Sequence, residues 1–185
     1  LDLAEMSLLD SPSAESIERA KATLRAYGTL DEHNVITPLG LQMDRYPLRI
    51  SSARMMVEAE RYSESTRAYV AAIVAAREVG GLQLFGRDIG RRWQGANGLT
   101  EEDTSDHLVQ LDIFIATQGM MLRLLLKDDF DGHNVGRAHE QYAKIAKLAN
   151  AYQTYLLPPT HDERVDIVHC VVAGLTHSMY KHAGD

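Results

Sequence analysis

Arg87, Arg91, Arg92 and Trp93 place three cations and an indole within one short stretch, residue types that hold single-stranded nucleic acid through phosphate contacts and base stacking. The stretch from 80 to 98 also holds six of the 13 glycines, so the competing reading is a solvated irregular loop with Trp93 laid on neighbouring helices. Lys144 and Lys147, three positions apart in a helical pattern, form a second candidate for tracking phosphates, against the alternative of a solvated helix face. His161-Asp162, with His133, His139 and His169, supplies the imidazole and carboxylate ligands that divalent metals take. Eight histidines scattered over 185 residues make such groupings easy, and Asp162 in a first helical turn already complements the helix dipole. These histidines are therefore read as helix-end and surface groups, with no metal site expected. Cys170, the only cysteine, reads as a small buried hydrophobe.

Other chemistry is missing from the pattern. No glycine precedes a lysine, which excludes the phosphate-cradling P-loop, and neither GxGxxG nor GxSxG occurs. No catalytic residue and no cofactor of the chain's own is expected. With 19 basic against 26 acidic residues the formal charge is −7, which speaks against a protein that coats nucleic acid by bulk charge but leaves room for a local basic groove. The 45% apolar and 24% charged composition is that of an ordinary globular chain. One cysteine allows no internal disulfide and fits a reducing, intracellular setting. The longest apolar run, ending at Ala76, is far short of the ~20 residues that span a bilayer, so no membrane partner is expected.

The elements that must position these groups are nearly all helical. Ser13 to Tyr27 repeats Ile17, Ala20, Leu24 and Tyr27 at helical spacing, and Gly28 supplies a stop. Leu30 to Thr37 reads as two very short extended pieces around a polar turn, and Pro38-Leu39-Gly40 opens a short helix ending before Tyr46-Pro47. Helix, turn, tiny hairpin and helix predict a winged-helix or helix-turn-helix unit. Its candidate recognition helix, Leu39 to Tyr46, carries Arg45 as its one base against Asp44, which argues for scaffolding over DNA readout.

Ser51 or Ser52 caps a helix to about Arg61, and a second helix buries Tyr69, Ala72, Ile73, Ala76 and Val79 on one side, the pair packing as a hairpin. Three longer helices are expected beyond the glycine-rich stretch. Thr104 or Ser105 caps one with the stripe Leu108, Leu111, Ile115, Leu122 and Leu126, where Gly119 allows a close helix approach. The next repeats Val135, Ala138, Tyr142, Ile145, Ala149, Tyr152 and Leu156 up to Pro158-Pro159. The last runs from His161, with Val165, Val168, Val172, Leu175 and Met179 on one face.

In order, these segments resemble a known family. Leu9-Asp10-Ser11-Pro12, Tyr27-Gly28-Thr29-Leu30-Asp31 and Thr37-Pro38-Leu39-Gly40-Leu41-Gln42-Met43-Asp44-Arg45-Tyr46-Pro47-Leu48 resemble the winged-helix segment that follows the motors of DEAH-box RNA helicases. Thr104-Ser105-Asp106-His107-Leu108 is similar to the start of that family's ratchet helix, and Cys170-Val171-Val172-Ala173-Gly174-Leu175 to its Ala-Gly helix before a terminal OB-fold. The family's usual Trp-Cys pair is replaced here by Asp129-Phe130-Asp131-Gly132-His133-Asn134.

The resemblance implies a mainly α chain: a winged-helix segment at 1–62 with a minimal β-hairpin, then a helical ratchet bundle at 63–185 cut before the OB-fold. It implies an accessory part of an ATP-dependent RNA helicase that packs on RecA-like motor domains and the OB-fold of the same parent and helps enclose single-stranded RNA. ATP and Mg2+ would belong to the motors, so this chain would not hydrolyse ATP. A G-patch-type activator is an expected partner in a eukaryotic parent. The expected location is intracellular, cytoplasmic in a bacterium and nuclear or cytoplasmic in a eukaryote. A start at Leu1 and a stop directly after an apolar helix fit a piece of a larger protein. Two alternatives come from other classes: a stand-alone winged-helix DNA-binding regulator with a helical dimerisation half, and a His/Asp metal hydrolase.

Overall fold

A computed structural model describes residues 12–82, 105–119 and 132–175. The seven helices found there are α1 (Ala14–Ala26), α2 (Pro38–Asp44), α3 (Ile50–Ala59), α4 (Glu64–Glu78), α5 (Asp106–Ala116), α6 (Gly132–Leu148) and α7 (His161–Leu175). The chain is thus mainly helical, and the described residues form no sheet.

α1 begins at Ser13, whose Oγ accepts the Ser16 N–H, and ends where Gly28 turns at φ 72°, a conformation costly for residues with a Cβ. It buries none of its residues, so the stripe containing Ile17, Ala20 and Leu24 is not sealed against the core. The expected hairpin contracts to one antiparallel bridge, Leu30 to Ile36. The Asp31 carboxylate takes the N–H groups of His33 and Val35, and Asn34 adopts φ 63°. The turn is so tightly closed by its own side chain that little ladder remains. Thr37 then caps α2, accepting the Gly40 N–H and donating to the Gly28 carbonyl.

α3 starts at Ile50 with Arg49 as a cap that makes no side-chain bond. The two serines expected to cap it work between helices instead. Ser52 is buried and donates to Glu78 at 2.8 Å, and Ser51 accepts from Arg77 at 3.3 Å. α4, capped by Ser63, is buried around its whole circumference from Ala68 to Ala76. A single apolar stripe was expected here, but α4 is the central helix, with α3, α5, α6 and α7 all against it. Its alanines let these neighbours come close on every side. One cluster of buried side chains runs from Met43 to Val171, so packing is continuous across residue 62.

Three further expectations change. α5 stops at Ala116, and Gly119 lies beyond it in a turn at φ 71°, with no atom of the described residues within 4 Å of where a Cβ would stand, so no close helix approach is seen there among those residues. Leu122 and Leu126 lie outside the described residues. α6 ends at Leu148, ten residues before Pro158, because Asn150 takes φ 50° and the Ala151 N–H bonds back to the Ala146 carbonyl. α7 faces the core with Ile167, Cys170, Val171 and Gly174; of the expected stripe Val165, Val168 and Val172 are exposed, Leu175 packs partly buried against the core, and Met179 lies outside the described residues. Gly174 is where α7 meets α3: a Cβ there would collide with Met55 and the Ser51 carbonyl.

Candidate nucleic-acid interface

α6 owes its position to its inner stripe. Val135, Ala138, Tyr142, Ile145 and Ala146 are buried, largely against α4, which turns the opposite face to solvent. Helical spacing puts Arg137, Lys144 and Lys147 on that outer face with Glu140 as the one acid among them, and both lysines are exposed. None of the three cations has a carboxylate within ion-pair distance among the described residues. By contrast, Arg19, Lys21, Arg45, Arg49, Arg54, Arg61 and Arg164 all do. Arg25, Arg67 and Arg77 also lack a carboxylate, but they are half-buried and bonded to Asn34, the Tyr62 carbonyl and His107, so among the described residues the exposed cations without an acidic partner are those of α6.

Aromatic groups adjoin it. The Lys147 ammonium lies 5.2 Å from the centre of the Tyr152 ring, a cation–π contact. Tyr152 in turn sits 5.9 Å from Tyr142, Tyr142 sits 5.2 Å from Phe114, and Phe114 sits 4.1 Å from His139, a run of rings from the surface into the core. Tyr142 holds the segment after α6 with its hydroxyl, which donates to the Gln153 carbonyl and accepts the Gln153 N–H. Tyr152 and Tyr155 remain 43% and 62% exposed on that anchored segment. Such a face can contact phosphates through its cations and stack bases on its rings.

Of the residues singled out from sequence, Lys144 and Lys147 are brought together here. Arg87, Arg91, Arg92 and Trp93 lie outside the described residues. Arg137, Tyr152 and Tyr155 were missed. Tyr152 fits the α6 apolar repeat as long as the helix is taken to continue, and only the asparagine at 150 marks its end.

Away from this face, an open cleft of about 360 Å³ is lined by residues that include Arg49, Arg77, Glu78, His107 and Gln110. Arg77 Nη1 lies 2.7 Å from His107 Nε2. Because a guanidinium has no acceptor, the imidazole must accept and is neutral, with its proton on Nδ1. Burial, and then the Arg77 charge, hold the His107 pKa below its ordinary value. Gln110 bonds both the N–H and the carbonyl of Leu82. The cleft carries Glu78 and Asp106 as well as its arginines, so it has no charge surplus to offer an anion.

The histidines are dispersed. His139 packs on Phe114 beside Thr117, and His169 Nδ1 is 3.5 Å from the Tyr62 hydroxyl; His133 lies at the start of α6 and His161 and Asp162 at the start of α7. No group of three His, Cys, Asp or Glu able to hold a metal occurs among the described residues. Among those residues, too, no helix is long and apolar enough to cross a membrane. No protein-family model matches the chain.

Proposed function

We propose that the chain is an accessory part of a DEAH-type ATP-dependent RNA helicase, carrying a winged-helix segment and a ratchet-like bundle that help enclose single-stranded RNA beside the motor domains. The observation that carries this reading is the outer face of α6, where Arg137, Lys144 and Lys147 have no carboxylate within ion-pair distance among the described residues and the exposed Tyr152 adjoins Lys147. The order of segments supports it: α1, the bridged turn, α2 and α3 stand where the winged helix is expected, and α5 begins at the Ser105-Asp106-His107-Leu108 stretch. ATP and Mg2+ belong to the motor domains of the parent, and its OB-fold and a G-patch-type activator are the further partners this reading names. An intracellular location follows from the same reading.

The DNA-binding regulator gains little support. α2 contains no Lys or Arg, and Arg45 at its end lies 3.5 Å from Glu60. A recognition helix without a free cation has little to hold phosphate.

The test is RNA binding and ATP turnover by the purified chain. Expected are no RNA-stimulated ATP hydrolysis and weak binding of oligouridylate, with an affinity that falls as salt rises from roughly 0.05 to 0.2 M. Lys144→Glu with Lys147→Glu should weaken binding by about tenfold or more, since each lost phosphate contact also removes its share of counterion release. ATP turnover by a clean preparation, or binding indifferent to salt and to both substitutions, would overturn the reading.

A further inference from the structure

We propose that Tyr152 is a stacking site for one base of the single strand, with Lys147 the cation that occupies the ring until a base arrives. The inference rests on reading the α6 face as a nucleic-acid interface and adds how that face distinguishes bases from bare backbone.

Three features of Tyr152 point to this use. Its ring is substantially exposed, which is costly for a large aromatic that serves packing alone. Its backbone is nonetheless fixed: Ala151 and Leu156 are fully buried on either side, and the Tyr142 hydroxyl bonds both the backbone N–H and the backbone carbonyl of Gln153. The ring therefore stands on a firm support, so a ligand that uses it has little ordering to do. The third feature is the placement of Lys147, its ammonium 5.2 Å from the ring centre and without an ion-pair partner among the described residues.

An exposed cation–π contact is worth about threefold in equilibrium terms, whereas a base stacked on an aromatic side chain is worth about tenfold or more. A base thus displaces the ammonium, and the lysine, on its flexible stem, swings to the adjoining phosphate. Exchanging a ring for a phosphate costs Lys147 little, and the strand gains both contacts. A protein partner of the same face is the other class of occupant, but Arg137 and Lys144, exposed on the same helix face as Lys147 and without a carboxylate in ion-pair reach among the described residues, favour a polyanion.

Two oligomers of equal length and charge separate the contributions: oligouridylate, and an abasic strand with the same number of phosphates. Wild-type chain should bind oligouridylate about tenfold more tightly than the abasic strand. Tyr152→Leu should reduce oligouridylate binding to the abasic level while leaving the salt dependence of both unchanged, and Tyr152→Phe should restore the preference. Because Tyr152 touches Tyr142, the Phe variant also guards against a loss due to misfolding. Equal binding of the two strands by wild type, or a preference that survives Tyr152→Leu, overturns the stacking site while the lysine face stands. Failure of wild type to bind either strand overturns the interface itself.

Discussion

His107 takes its character from a neighbour that cannot accept a hydrogen bond. The Arg77 guanidinium at 2.7 Å keeps the imidazole neutral, and acid would set two cations against each other across the α4–α5 contact. Burial lowers the pKa of His139 in the same direction. Since both folded values lie below the ordinary 6.5, full stability is present above that pH. It is lost as acid protonates the unfolded chain first, from 6.5 down to the folded values. Denaturant midpoints should therefore fall between about pH 7.5 and about pH 5, and His107→Gln should flatten part of that fall; a midpoint that does not move with pH would contradict the assignment. Cys170 offers a simpler check. Burial pushes its thiol up to about 12, so a thiol reagent should label it only after unfolding. The lysines of the candidate interface were legible from their spacing alone. Tyr152 was not, because its exposure depends on where α6 ends, and one asparagine decides that.

At the scale of elements, helix existence was readable and helix limits were less so. Ser13, Gly28 and Pro38 mark α1 and α2 through bonds that any chain would make locally. α7 shows why faces are harder: Val165, Val168 and Val172 share one side, while Ile167, Cys170, Val171 and Gly174 share another, and both are apolar. Periodicity admits both solutions, and only the close fit of Gly174 on α3 selects between them. Gly174→Ala should cost about 1–3 kcal/mol by chemical denaturation, because Met55 can yield but the Ser51 carbonyl belongs to a helix that cannot. On α4, Ile73→Ala should cost about 2–5 kcal/mol, the range for a fully buried side chain in a site that cannot collapse. Val168→Ser, on the outer side of α7, should stay within about 0.5 kcal/mol. A large loss there would mean that this side is covered in the free chain.

Across the whole molecule the charge of −7 conceals an uneven distribution. Seven of the 13 basic side chains of the described residues are engaged by carboxylates, Arg25, Arg67 and Arg77 are half-buried on neutral partners, and the exposed ones left over lie on one helix. A chain repelling polyanions in bulk can still present a local strip to a strand held nearby by other domains, so weak binding by the isolated chain is the expected result. Secondary structure was visible from sequence because it is local; the place of α4 was not, since being surrounded depends on four other helices arriving. That central position governs how the molecule breathes. Amides in the buried middle of α4, Ala68 to Ala76, lie beneath α3, α5, α6 and α7, so their deuterium uptake should report complete unfolding. α1, with no buried residue, should take up deuterium through fraying orders of magnitude sooner. The chain is held at its middle and loose at one edge, and the order in which its amides exchange should trace that gradient outward from Ile73.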